Sequence, residues 1–217
     1  MAGPHEILGM SRVLGMSTTE FLALYTDHGG TTLRSEADGR CVFVTPSGCR
    51  VHKRRPLVCR LYPLGRSSDE TGVERFAVFP RQSDCEAEFG SDGTVGSFLE
   101  SQGVGPCLGW SRRYGELYRR MIGILDRLGV EGEIEGRMAE AGTGDAAATE
   151  PPADLEDGGP EAAAPHLAPL SAWQDIDASL ADYCAAKGLA VPAGIEDAID
   201  LHLRAMGEWL NDLESRL

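Results

Sequence analysis

The sequence predicts an α+β protein. It reads as a small irregular cysteine-cluster domain of short strands and flanking helices, then an acidic disordered linker, then C-terminal helices. Three observations carry that prediction. Five of the six cysteines lie between positions 41 and 107. The apolar pattern changes from short alternating runs before residue 80 to a three-and-four spacing after Gly109. Charge is split as well: residues 1–135 hold 16 Lys+Arg against 18 Asp+Glu, whereas 136–217 hold 4 against 16. The expected organisation is therefore a cysteine-cluster domain over 1–135, a linker over 136–170 and a helical segment over 171–217.

The elements follow in order. Residues 5–27 read as helix, broken around Gly15. Ser17-Thr18-Thr19-Glu20 has the form of a capping box ahead of Phe21, Leu22, Leu24 and Tyr25. His28-Gly29-Gly30 reverses the chain. Thr32-Leu33-Arg34 and Cys41-Val42-Phe43-Val44 read as short strands joined by a turn at Ala37-Asp38-Gly39. Pro46-Ser47-Gly48 turns the chain again into Cys49-Arg50-Val51, and Glu74 to Pro80 reads as a further strand. Tyr114, Leu117, Tyr118, Met121, Ile122, Leu125 and Leu128 then mark an amphipathic helix of about four to five turns that closes the domain, with Gly129 as its stop.

Ala, Gly, Pro, Asp and Glu dominate 136–170, a composition with almost nothing to bury, which predicts a disordered linker. Two helices follow. One lies near 171–187 with Trp173, Ile176, Leu180 and Tyr183. The other spans 194–216, with Ile195, Ile199, Leu203, Met206, Leu210 and Leu213 on one stripe. That stripe must face a dimer partner, the main domain or another protein.

Composition narrows the function classes. A formal charge of −14 argues against sequence-independent nucleic-acid binding. No apolar run reaches the roughly 18–20 residues that a bilayer span needs, and the first thirty residues lack a secretory pattern, so a cytoplasmic location is expected. There is no Walker-type loop, HExxH, GxSxG or strand-borne GxGxxG. A nucleophilic pair of Cys59 and His52 has nothing in its spacing to specify it.

The chemistry concentrates in CVFVTPSGCRVHKRRPLVCRLYP, residues 41–63, with Cys85 and Cys107 downstream. No pair is CxxC, so the spacing alone does not define a zinc ribbon or finger. Thiols on turns and strand ends can nonetheless converge on one ion. Arg50, His52, Lys53, Arg54, Arg55 and Arg60 supply the cations that favour thiolate, and could equally hold a phosphate or carboxylate. Disulfides are not expected in a reducing compartment. Cys184 reads as core, His28, His166 and His202 as surface or cap residues, and Trp110, Trp173 and Trp209 as packing anchors.

These motifs resemble the YkgJ-type cysteine-cluster family, a zinc- or iron-chelating domain. The matching pieces are Cys41-Val42-Phe43, Gly48-Cys49-Arg50-Val51 leading to Arg55-Pro56, and Cys59-Arg60-Leu61-Tyr62-Pro63. Glu6-Ile7, Gly15-Met16-Ser17 and Glu20-Phe21-Leu22 support them. The resemblance covers about residues 5–125. It implies a zinc ion or an iron–sulfur centre held by Cys41, Cys49 and Cys59 with Cys85 or Cys107, while Arg55, Arg60 and Tyr62 orient the ligands or offset their charge. Family members usually carry a CxxxCC stretch ahead of the first helix. This chain has no cysteine before Cys41, so either a start codon further upstream or a partly lost cluster is expected. Two other readings stand beside metal binding: a non-enzymatic module that binds a protein partner or itself through the C-terminal helix, and a protein methyltransferase, since the family includes flagellin lysine-N-methylases.

Overall fold

A computed structural model describes residues 2–27, 30–69, 73–80, 90, 92–128 and 173–217. Its fold is mixed α and β, with seven helices and three short antiparallel strand pairs among the described residues. The first helix, α1 (Pro4–Leu14), starts with Pro at its first position and ends at Gly15, whose φ of 72° is the left-handed cap that glycine adopts without strain. The second, α2 (Thr18–Tyr25), starts at the predicted capping box: Ser17 Oγ accepts the Glu20 N–H at 3.1 Å, and Glu20 returns the bond to the Ser17 N–H at 2.8 Å.

The strands are shorter than expected and pair differently. Thr32–Leu33 (β2) pairs back onto Thr26–Asp27 (β1) and not onto the Cys41 segment. The expected 32–34/41–44 hairpin survives as one bridge, Ser35 to Cys41, closed by the Gly39 turn. Val44–Thr45 (β3) and Gly48–Cys49 (β4) form a minimal hairpin, turned at Gly48 with φ 105°. A 3-10 turn over His52–Arg54 leads into helix α3 (Leu57–Leu61), so Cys59 sits on a helix and not on a loop. The largest pair is β5 (Leu64–Ser68) with β6 (Glu74–Val78). Here β6 matches expectation, while its partner LGRSS carries no apolar alternation to announce it.

Helix α4 (Val95–Ser101) was not foreshadowed by an apolar period. It is set by Thr94, whose hydroxyl caps the Ser97 N–H. Helix α5 (Gly105–Arg127) starts earlier than its apolar stripe suggested and runs 23 residues. Helices α6 (Ile176–Lys187) and α7 (Ile195–Glu214) fall where the two C-terminal periods placed them. The 136–170 linker, the His28-Gly29 reversal, His166 and Cys85 lie outside the described residues.

Three apolar clusters hold these parts. One is a helical bundle in which Tyr114, Met121 and Ile124 of α5 meet Trp173, Ile176 and Leu180, and Ile199, Leu203 and Leu210 of α7, with Leu8 of α1. The α7 stripe therefore faces α5 and α6. A second joins Ile7 and Met10 of α1 to Phe21, Phe43 and Val51, with Cys41 and Cys49 packed on it. The third gathers Leu57 and Leu61 of α3 with Val104 and Leu108, with Cys107 at its margin. Helix α1 contributes to the first two, which is why its residues 4–11 are buried on every side. His202 corrects the sequence expectation: it is fully buried, and its Nδ1 shares a 2.8 Å hydrogen bond with the Tyr114 hydroxyl, which burial keeps protonated.

Candidate metal centre

Each cysteine of the 41–63 segment is delivered by a different local device. Cys41 follows the Gly39 turn and accepts the Val44 N–H on its carbonyl at 2.9 Å, which coils the backbone around it. Cys49 ends the β3–β4 hairpin opposite Val44. That hairpin is locked by the Thr45 hydroxyl, which donates to the Gly48 carbonyl at 2.8 Å. Both cysteines are half-buried against Phe43 and Val51. Cys59 lies in the first turn of α3, its N–H donating to the Pro56 carbonyl at 3.0 Å.

The Cys59 thiol feels the other two. Cys59 is exposed as a residue, yet partial burial of its thiol pushes its pKa up, and the nearby Cys41, Cys49 and Glu6 groups raise it further, opposed by Arg55. The Cys107 thiol also rises, first through burial; Arg60 and Arg54 act against this and Glu6 with it. Cys107 packs at the margin of the Leu57, Leu61, Val104 and Leu108 cluster, whereas Cys41 and Cys49 pack on the Phe43 and Val51 cluster. The five described cysteines are free thiols. Cys184 is core, its thiol donating to the Ala190 carbonyl at 3.7 Å. Among the described residues, no three His, Cys, Asp or Glu side chains are placed together where they could hold a metal ion.

The basic run has a definite structure. Arg60 donates to the Arg55, Gln102 and Lys53 carbonyls at 3.1, 3.0 and 2.9 Å, stitching the 53–55 loop to the end of α4. Arg55 donates to Gln102 Oε1 at 2.8 Å and lies 3.1 Å from His52 Nε2. Tyr62 follows α3 and is exposed. Elsewhere arginines sit on carboxylates: Arg34 on Asp27, Arg66 and Arg112 on Glu74, Arg113 on Asp200. Among the described ion pairs, none involves Arg50, Lys53, Arg54, Arg55 or Arg60.

Two residues at this site were not singled out by sequence reasoning for a role there. Gln102 anchors both arginines, and no motif marks it. Glu6 is buried at 9% exposure and joins two elements. Its Oε2 accepts the Gly3 N–H at 2.8 Å, and its Oε1 accepts the Leu57 N–H at 2.5 Å, two residues before Cys59. The available signal was an acid in the first turn of a helix that opens with Pro4.

The segments that carry Cys41 and Cys49 thus pack on α1, which also contributes to the helical bundle. Residues 5–85 match the model of the CxxCxxCC family, whose description reads "Putative zinc- or iron-chelating domain". This is the YkgJ-type family that the sequence motifs resemble. No curated protein and no solved structure matches the chain. Among the described residues, no helix is long and apolar enough to cross a membrane.

Proposed function

We propose that this protein binds zinc or an iron–sulfur centre through Cys41, Cys49 and Cys59, with a further donor for which Cys85 and Cys107 are the sequence's candidates. The observation that carries this reading is a set of three free thiols in which Cys41 and Cys49 both act on Cys59, with Arg55 opposing them and with no described ion pair at Arg50, Lys53, Arg54, Arg55 or Arg60. Thiolates gathered at one place need compensating charge, and cations left without acids supply it. The donor chemistry fits the group: soft thiolates suit zinc and iron–sulfur centres alike. When bound, the ion would supply a crosslink between segments whose strands are only two residues long.

The chain's own residues do the remaining work. The β3–β4 hairpin fixes Cys49 against Val44. Arg60, held by three carbonyls, sets the loop that leads into α3 and so the position of Cys59. Arg55 opposes the rise of the Cys59 pKa and so favours the thiolate form. Metal analysis and an absorption spectrum of anaerobically purified protein test this reading. Stoichiometric zinc or iron, lost in Cys59→Ser, is expected; metal-free wild-type protein that also fails to take up added zinc or iron refutes it.

A further inference from the structure

His5 carries an ionisable ring into surroundings that tolerate only its neutral form. It stands in the first turn of α1 and is 6% exposed, and neither ring nitrogen has a hydrogen-bond partner among the described residues. Its ring stacks on Tyr114 of α5, with centroids 5.5 Å apart and planes at 11°, and tilts against Trp110 at 6.0 Å. A neutral imidazole leaves one donor and one acceptor unpaired in this slot. An imidazolium would leave two donors and a full charge without water.

The groups around it do little for that charge. Burial lowers the His5 pKa from its ordinary 6.5, and Glu6 on the same helix is the charged group that opposes this. From α5 come Trp110 and Tyr114, and burial keeps the Tyr114 phenol protonated. From α7, His202 reaches this place only through Tyr114, whose hydroxyl its Nδ1 meets at 2.8 Å. Aromatic faces attract a cation, but they do not replace the hydration that two N–H donors lose on burial.

Helix α1 is the element that a charged His5 would displace, and it is tied to both halves of the chain. Leu8 packs in the helical bundle, while Ile7 and Met10 pack with Phe43 and Val51. Glu6 accepts the Leu57 N–H at the start of the helix that carries Cys59. One turn further on, Arg54 lies against Gly9, its Cβ 3.5 Å from where a Cβ on Gly9 would stand.

We propose that His5 is an acid-sensitive latch: uptake of one proton by its ring releases the first turns of α1 from Trp110 and Tyr114, and with them the Leu57 end of α3. The latch is fully closed above about pH 6.5, where the ring is neutral in the closed and open forms alike. Below that value the open form binds a proton that the closed form does not, so opening gains about tenfold per pH unit. This device needs no bound metal.

Native-state hydrogen exchange of the full chain at about pH 7 and about pH 5.5, read as protection factors, tests it. The amides of Ile7, Leu8 and Leu57 are expected to lose about tenfold in protection at the lower pH, while those of α7 keep theirs. His5→Phe retains a ring for Tyr114 and Trp110 but cannot take a proton, so its α1 should stay equally protected at both values. The wild-type ring gives a second arm that needs no variant. Followed by NMR, the His5 imidazole should gain its proton only as α1 loses protection; a ring that titrates near 6.5 with α1 still closed overturns the latch. Unchanged α1 protection in acid, or the same loss in His5→Phe, overturns it as well. So does a loss in α7 equal to that in α1, which would place the decisive proton on His202.

Discussion

At Glu74 one carboxylate takes two arginines. Arg112 donates from Nε and Nη2 at 2.8 and 2.7 Å, and Arg66 donates from Nη2 at 2.8 Å, binding β6 to β5 and to α5. The Arg112 hydrogen bond, helped by Arg66, holds the carboxyl down at about 2, against an ordinary 4.5. A carboxylate whose folded pKa is depressed adds stability that is fully present above about 4.5 and is lost as pH falls toward 2. Glu74→Gln should therefore lower the melting temperature at pH 7, and the gap to wild type should close between pH 4.5 and 2; a gap independent of pH in that range would refute the charge argument. Gly30 offers a second residue-scale test. Its φ is +89°, and a Cβ there would lie 2.5 Å from Leu22 Cδ2. Gly30→Ala should cost about 1–2 kcal/mol in urea unfolding from the left-handed backbone alone, and no loss would mean that the turn relaxes freely.

Between elements, the most specific contact joins the starts of α2 and α6. Asp175 caps α6 by accepting the Ala178 N–H at 3.1 Å and also accepts the Thr18 and Thr19 hydroxyls at 2.5 and 2.6 Å. Asp177 accepts the Thr18 N–H at 2.8 Å and pairs with Arg12. Asp175→Ala should thus cost about 1–2 kcal/mol, the upper range for a helix cap. Asp175→Asn should lose less, because the amide oxygen can still cap. Equal losses in the two variants, read from denaturant midpoints, would show that capping is not the operative contact. This latch also marks where sequence reading stopped. The α2 capping box, the Gly15 break and the α7 stripe were legible because each is a local pattern with a fixed period or offset. The pairing of Thr18 with Asp175 was not, since 157 positions separate them and no periodicity links them. The same divide runs through the site. Cys41, Cys49 and Cys59 stood out by type, by their clustering within 41–63 and by the family motifs around them, whereas the hydrogen bond from Leu57 to Glu6 depends on α1 meeting the start of α3. The strand pairing of β5 failed for a related reason: Leu64-Gly65-Arg66-Ser67-Ser68 gains its partner through Glu74–Val78 and not through its own apolar pattern.

Across the whole molecule, two kinds of stabilisation meet at α1. The bundle of α5, α6 and α7 is an ordinary apolar core with long helices and fully buried Ile176, Ile199 and Leu210. The segments that carry Cys41 and Cys49 have Phe21, Phe43 and Val51 beside them, but two-residue strands and one isolated bridge to order their backbone. The proposed metal crosslink would add most where the polypeptide is least held, so its removal should act unevenly. In hydrogen exchange, chelating the ion is expected to accelerate the amides of Val44, Arg50 and Cys59, which bond to Cys41, Phe43 and Pro56. The amides of α5 and α7 should keep their protection. Ile199→Ala should do the reverse. It removes a fully buried side chain from the bundle at a cost of about 2–5 kcal/mol, and it should speed exchange in α5 and α7 before it touches the Cys49 hairpin. Because Leu8 faces the bundle while Ile7 and Met10 face the cysteine core, α1 should respond to both perturbations. Uniform acceleration across all helices after chelation would instead mean that one cooperative unit spans both cores, with the metal stabilising the entire chain.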